Sequence, residues 1–99
     1  NIILKHIEEE LPAHPLTHLL TMVEEGAEIV EVKLEKNSKA INKAVKDLKL
    51  PKDCVIALLI RNGQKPKVPT ADTVLKLDDR LIALTRLENE ADLRKVLVG

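Results

Sequence analysis

The chain has 99 residues with 16 basic and 16 acidic side chains, so its formal net charge is zero and it lacks the basic field that draws proteins to nucleic acid. It contains no aromatic residue, which excludes the stacking platforms that bind single-stranded bases. This length allows one small domain, and its core must be aliphatic.

The first 26 residues are predicted to form a helical linker segment. Apolar residues recur at helical spacing in its first half: Ile3, Leu4, Ile7 and Leu11. Pro12 ends this helix because the residue before a proline is pushed away from the helical conformation. A second short helix is expected over residues 15–24, with Pro15 in its first turn and Gly26 just past its end.

Residues 27–99 are predicted to form an α+β domain in the order strand-helix-strand-strand-strand-helix. Its first strand spans residues 28–35, where apolar and charged residues alternate. The helix that follows begins at the cap residues Asn37 and Ser38 and ends before Pro51. Its apolar stripe consists of Ala40, Ile41, Ala44, Val45 and Leu48.

An unbroken apolar run over residues 54–60 predicts the central strand. Such a run is buried on both faces, or on one face with the other at an interface. Because strand side chains alternate, Ile56 and Leu58 are expected in the core, and Ala57 and Leu59 on the opposite face.

A hairpin turn is predicted at Asn62-Gly63, with positive φ at both residues. The return strand contains Pro66 and Pro69, which cannot donate to a ladder, so it is expected to be an edge or to have gaps. The last strand spans residues 81–87, and Asn89 is expected to cap a closing helix. The buried face of that helix is predicted to hold Ala91, Leu93, Val96 and Leu97.

Two histidines form the strongest metal-ligand pattern, because His14 and His18 are four residues apart and can share a helical face. Pro15 disfavours a helix at His14, and no Glu follows His14 as the zinc-protease pattern requires. These histidines are therefore interpreted as exposed. Four glutamates without calcium-loop spacing are interpreted as a solvated acidic run: Glu24, Glu25, Glu28 and Glu31.

Adjacent carboxylates precede the last strand at Asp78 and Asp79, where a turn is favoured and Arg80 is expected to offset their charge. Cys54, the single cysteine, opens the apolar strand and is predicted to be a buried, inert thiol. The lone Ser38 cannot support a nucleophile-base arrangement. The sequence therefore predicts no catalytic residue, no metal site and no cofactor.

Several motifs between Leu48 and Leu84 resemble a known family, the C-terminal domain (TrkA-C, or RCK-C) of regulators of potassium transporters and channels. The matching motifs are Leu50-Pro51, Ile60-Arg61, Pro69-Thr70 and Thr73-Val74-Leu75. Asp78-Asp79 stands where the family usually has Gly-Asp. The resemblance runs from about Glu28 to Leu97.

The resemblance implies a non-catalytic regulatory and dimerisation module of a potassium uptake system or cation channel. Its partners would be a second copy, a Rossmann-like N-terminal domain and a membrane-embedded transporter. Some members bind cyclic di-AMP between two copies, and the matching positions imply a ligand site at Val55, Ile56, Val68 and Pro69. The Arg that such members carry before the strand has no counterpart here, and the nearest bases are Lys49 and Lys52.

Lys67 is the predicted phosphate partner, because a point charge on an edge strand reaches an anion without being buried. A lysine there also blocks edge-to-edge pairing of strands, and a purely structural assembly domain without a ligand is the alternative. No apolar run is long enough to span a membrane. The chain is expected to be cytoplasmic, peripheral to the membrane through its transporter partner, and a piece of a longer polypeptide because it begins at Asn1.

Overall fold

A four-stranded antiparallel sheet in the order β1-β2-β4-β3 organises residues 15–98, the part of the chain that the computed structural model describes. The strands are β1 (Leu16–Met22), β2 (Ala27–Lys33), β3 (Val55–Ile60) and β4 (Arg80–Arg86). Short 3-10 helices span Val45–Asp47 and Leu87–Asn89, and helix α1 spans Glu90–Leu97. The α+β class is confirmed, while the helix predicted over residues 1–11 lies outside the described residues.

Residues 16–22 form a strand, so the helix predicted over residues 15–24 is wrong. β1 pairs with β2 along its whole length, and Gly26, at φ +68°, donates its N–H to the Val23 carbonyl across the turn at 3.1 Å. A register shift between His18 and Leu20 breaks the alternation of β1. Because of this bulge, the apolar residues of β1 follow a spacing that also suits a helix. The segment forms a strand because it pairs with β2.

The helix predicted from Asn37 to Leu48 is also wrong, because this segment consists of turns and one 3-10 helix. Some of its N–H groups close local turns, and others donate to a later part of the chain. Asn42 N donates to Leu75 O at 2.7 Å, and Val45 N donates to Thr73 O at 2.9 Å. The apolar residues still cover the core as predicted, but the segment that pairs with them is about 30 residues away in sequence.

β3 lies at an edge of the sheet, whereas β2 and β4 occupy its centre, so the prediction of a central strand is wrong. A register shift between Ile56 and Leu58 reverses the alternation. Ile56 and Leu59 are buried, while Leu58 is only half-buried. The prediction is therefore correct for Ile56 and wrong for Leu58 and Leu59, because Leu59 and not Leu58 enters the core. One face of β3 is in the core and the other is open.

The turn after β3 has positive φ only at Gly63 (+77°), so the expected primed turn is wrong. Gln64 N donates to Arg61 O at 3.0 Å and closes the turn. The return segment pairs with β3 at a single point, where Leu59 and Lys67 exchange backbone hydrogen bonds of 2.7 and 3.0 Å. This agrees with the gaps that the prolines predict.

The core lies between one face of the sheet and a layer formed by α1 and the segments around residues 34–50 and 75, and it is aliphatic as the composition requires. Its fully enclosed large side chains include Leu34, Leu59, Leu75, Leu81, Leu93 and Leu97. Asn89 precedes α1 as predicted, but its side-chain amide donates to Lys52 O at 2.9 Å and does not cap the helix. Ala91, expected on the buried face, is exposed. No helix within residues 15–98 is long and apolar enough to cross a membrane.

Candidate functional site

The predicted ligand-binding residues lie on the outer edge of β3 and on the segment beside it. Val55 (52% exposed) and Val68 (70% exposed) present apolar surface, whereas Ile56 belongs to the core and contributes little surface. Lys67 is exposed and Pro69 is half-buried. Lys67 is level with Leu59, about 13 Å along the strand from Val55 at 3.3 Å per residue. The chain from Lys67 to Pro69 runs back towards Val55, because the pairing is antiparallel.

An ion pair joins the end of β3 to the loop before β4. Arg61 donates to both carboxylate oxygens of Asp79, at 2.9 Å from Nε and 2.7 Å from Nη2. The same carboxylate accepts the Lys76 N–H at 2.8 Å, and Arg61 also donates to the Val74 carbonyl at 3.0 Å. These contacts of Arg61 fix residues 74–79 against the end of β3, the strand that carries the predicted ligand-binding residues.

Asp79 is almost fully buried and remains charged through this pairing. Burial alone raises its pKa, but the hydrogen bonds from Arg61 and Lys76 outweigh that effect and lower the pKa below its ordinary value. The hydrogen bonds to Asp79 raise the pKa of Arg61. Arg80 was expected to offset this charge, and it instead pairs with Glu31 at 3.1 Å. The sequence marked Arg61 through the Ile60-Arg61 motif, but it did not identify Asp79, 18 positions later, as the partner of Arg61.

Asp78 adopts the left-handed conformation, with φ +70°. Its N–H donates to Leu34 O at 2.8 Å, so the turn is fixed against the chain that follows β2. A side chain is disfavoured in this conformation, and Asp and Asn tolerate it better than most residues. The position is the one where the resembled family usually has Gly, and Asp78 meets the same backbone requirement.

A lysine-rich cavity of about 170 Å³ opens between the 3-10 helix and α1. Leu48 and Val96 contribute apolar surface, and Asp47 is the only acidic side chain in its lining. Its basic residues are Lys39, Lys43, Lys49 and Lys95. This arrangement attracts anions. Sequence reasoning missed it because the lysines come from separate parts of the chain and meet only when α1 packs.

His18, Glu28 and Glu90 meet where α1 begins. His18 Nε2 is 2.9 Å from Glu90 Oε1 and 3.6 Å from Glu28 Oε1. Burial, followed by the neighbouring Glu90 carboxylate, raises the pKa of Glu28 to about 7. Burial also acts on Glu90, but His18, Glu28 and Arg94 outweigh it and lower its pKa to about 2. The prediction that Glu28 belongs to a solvated acidic run is wrong, and His14 lies outside the described residues.

Cys54 is half-buried just before β3. Burial raises the pKa of its thiol, with a smaller opposing effect from Thr85. The raised pKa favours the protonated thiol, while the predicted burial of Cys54 is only partial.

Comparison with known proteins points to one family. The model of the TrkA-C domain matches residues 29–98, which include β3, β4, α1 and most of β2. The Trk system potassium uptake protein TrkA of Mycobacterium tuberculosis is 32% identical over 92 residues, covering 93% of this chain and 41% of that protein. A TrkA homolog of Archaeoglobus fulgidus is 39% identical over 62 residues, covering 63% of this chain and 14% of that protein.

A solved structure described as "Structure of RCK domain with cda" shares the fold at a TM-score of 0.60. Its sequence is 28% identical, and the alignment covers 70% of this chain and 96% of that chain. This chain thus spans less than half of the two potassium uptake proteins and nearly the whole of the RCK domain.

Proposed function

The chain belongs to the TrkA-C domain family, and from this premise we propose that it is a non-catalytic regulatory module of a Trk-type potassium uptake protein. The observation that carries the proposal is the family match over residues 29–98, together with relatives that are named potassium uptake proteins. In this proposal the module works in the cytoplasm beside a Rossmann-like domain and a membrane-embedded transporter.

The uptake role is tested by a chimera in which residues 29–98 replace the matching segment of the Mycobacterium tuberculosis relative. We expect potassium uptake by cells carrying the chimera to approach that of cells with the intact relative. The same chimera with Leu59→Asp, which breaks the core of the module, is the control for misfolding. A folded chimera whose uptake equals that of a deletion of the segment would contradict the proposal.

A homodimer is the second part of the proposal, and a continuous apolar row on the open face of the sheet supports it. Leu20 is opposite Ile29, Ile29 is opposite Leu84, and Leu84 is opposite Val55. The row crosses all four strands, and Leu20, Val55 and Leu84 are exposed. An apolar row this long on one face suits contact with a second copy, because homodimer interfaces are more apolar than the remaining surface.

A small anionic regulator is the third part, bound between two copies at Val55, Val68 and Pro69 beside the buried Ile56, with Lys67 as its phosphate partner. The exposed apolar residues at this edge support it, and so does the likeness to an RCK domain solved with cda. The gaps in the return segment leave backbone groups of β3 open beside these side chains.

Calorimetry with cyclic di-AMP and with adenine nucleotides tests the ligand. Lys67→Ala is expected to weaken binding by about tenfold and to reduce its salt dependence, because a charge-assisted contact is lost. Lys65→Ala, a second exposed lysine in the same segment, is the matched control and should leave the affinity unchanged. Absence of heat at near-millimolar ligand would favour the alternative, a structural assembly domain without a ligand of its own.

A further inference from the structure

Three side chains of metal-binding type converge at one end of the core face of the sheet. His18 comes from β1, Glu28 from β2 and Glu90 from the first position of α1. One ligand atom from each lies within 4.8 Å of the other two. His18 and Glu28 lie on the two strands of one hairpin, and Glu90 is 72 positions away from His18 in sequence. The fold, not a local motif, brings them together.

Glu28 is the unusual member of the cluster. Its side chain is only 2% exposed, and its Oε2 is buried without a hydrogen-bond partner among the described residues. Arg94 donates to Glu90 rather than to Glu28, at 2.8 Å. Buried polar atoms in proteins are nearly always paired, and an orphaned carboxylate oxygen needs an explanation such as a bound ion. Glu28 therefore offers a buried carboxyl oxygen without a partner, beside two further ligand-type side chains.

We propose that His18, Glu28 and Glu90 form a binding site for a divalent transition-metal cation of the Zn²⁺ type. An imidazole nitrogen with two carboxylate oxygens suits zinc and its neighbours, whereas Ca²⁺ and Mg²⁺ prefer oxygen ligands alone. The site rests on these side chains and is independent of the proposed regulatory function.

The spacing of the ligand atoms suits such an ion. Tetrahedral ligands about 2.1 Å from zinc lie about 3.4 Å from one another. The distances from His18 Nε2, 2.9 Å to Glu90 and 3.6 Å to Glu28, lie on either side of that value. Small side-chain shifts therefore bring all three atoms to bonding distance.

The structure also gives an ion access to the cluster and fixes the orientation of the Glu90 carboxylate. The His18 side chain is 48% exposed, which leaves an entry path and room for water as a fourth ligand. Arg94 holds Glu90 through Oε2, so that Oε1 is directed towards His18. A hydrogen bond of this kind to a ligating carboxylate fixes its orientation, as the outer partners of metal ligands do.

Thermal unfolding of the complete chain tests the site, first in EDTA and then with added ZnSO₄. We expect zinc to raise the Tm by about 10 °C when its free concentration is about 100 times Kd, because it binds only the folded state. Glu28→Gln keeps the shape of the side chain and removes the ligand charge, and His18→Ala removes an exposed ligand without disturbing the core. Both variants should lose the zinc-dependent shift while keeping the native far-UV circular dichroism.

Glu31→Gln is the matched control, since Glu31 lies on the same strand as Glu28 and pairs with Arg80 outside the cluster. It should keep the full shift, and calorimetry should give one zinc ion per chain. His14→Ala distinguishes this site from one built on the other histidines and should also keep the shift. A wild-type chain whose Tm does not respond to zinc, or a His18→Ala variant that keeps the response, would overturn the proposal.

Discussion

Asp79 lies in a polar turn before β4, but its side chain is enclosed by the fold. It is buried, and its charge is matched by the two-pronged contact with Arg61. Removing one partner of a buried pair leaves the other charge uncompensated. We expect Asp79→Asn to lower the free energy of unfolding by about 3 kcal/mol, measured by urea denaturation. Glu31→Gln, which breaks an exposed pair with Arg80, should cost less than about 1 kcal/mol.

The same carboxylate predicts a dependence of stability on pH. Its folded-state pKa lies below the ordinary value of 3.8, so its contribution is complete above 3.8 and is lost as the pH falls through the folded pKa. The difference in Tm between wild type and Asp79→Asn should therefore be constant near neutral pH and shrink below about pH 4. Two Tm curves that stay parallel down to pH 2 would show that Asp79 does not stabilise the fold through its charge.

At the scale of the element, β3 gives the clearest prediction, because the bulge decides which side chains enter the core. Leu59→Asp should unfold the domain, since an unpaired buried carboxylate costs several kcal/mol, roughly the stability of a small domain. Ala57→Asp, on the open face, should remain folded with a loss below about 1 kcal/mol. Far-UV circular dichroism distinguishes the two variants. A folded Leu59→Asp protein would show that the face of β3 that carries Leu59 is not in the core.

Elements with a regular local pattern could be predicted from sequence, and elements held by distant partners could not. β2 alternates cleanly, the β3 run is bounded by turn residues, and α1 keeps its stripe at Leu93 and Leu97. Residues 37–48 carry a helix-like stripe, yet the N–H groups of Asn42, Val45 and Lys46 donate to carbonyls of residues 71–75. A spacing rule cannot detect such a partner.

The candidate sites follow the same division. The exposed edge at Val55 and Lys67 could be predicted from the sequence, because prolines and lysines in the return segment mark an open strand edge. The cluster of His18 and Glu90 could not be predicted, because its members belong to separate elements, β1 and α1, that lie 72 positions apart and meet only in the folded chain.

For the whole molecule, the apolar row across the sheet predicts the oligomeric state. Leu84→Asp places a carboxylate in the middle of the row and should weaken the dimer by about 100-fold, measured by sedimentation velocity. Val23→Asp is the control, because Val23 is exposed in the β1–β2 turn and lies outside the row. A wild-type chain that sediments as a monomer at micromolar concentration would refute the dimer, and a Leu84→Asp chain that stays dimeric would locate the interface elsewhere.

The strand order has a consequence for how the molecule is made. β4 is the last strand in sequence, yet it lies between β2 and β3 and is the neighbour that joins them. While the chain emerges from the ribosome, the β1–β2 hairpin can form early, but β3 has no strand to pair with until Arg80–Arg86 has been synthesised. The apolar β3 segment therefore stays without its partner strand for some 20 residues of synthesis, and the sheet is complete only when β4 is available.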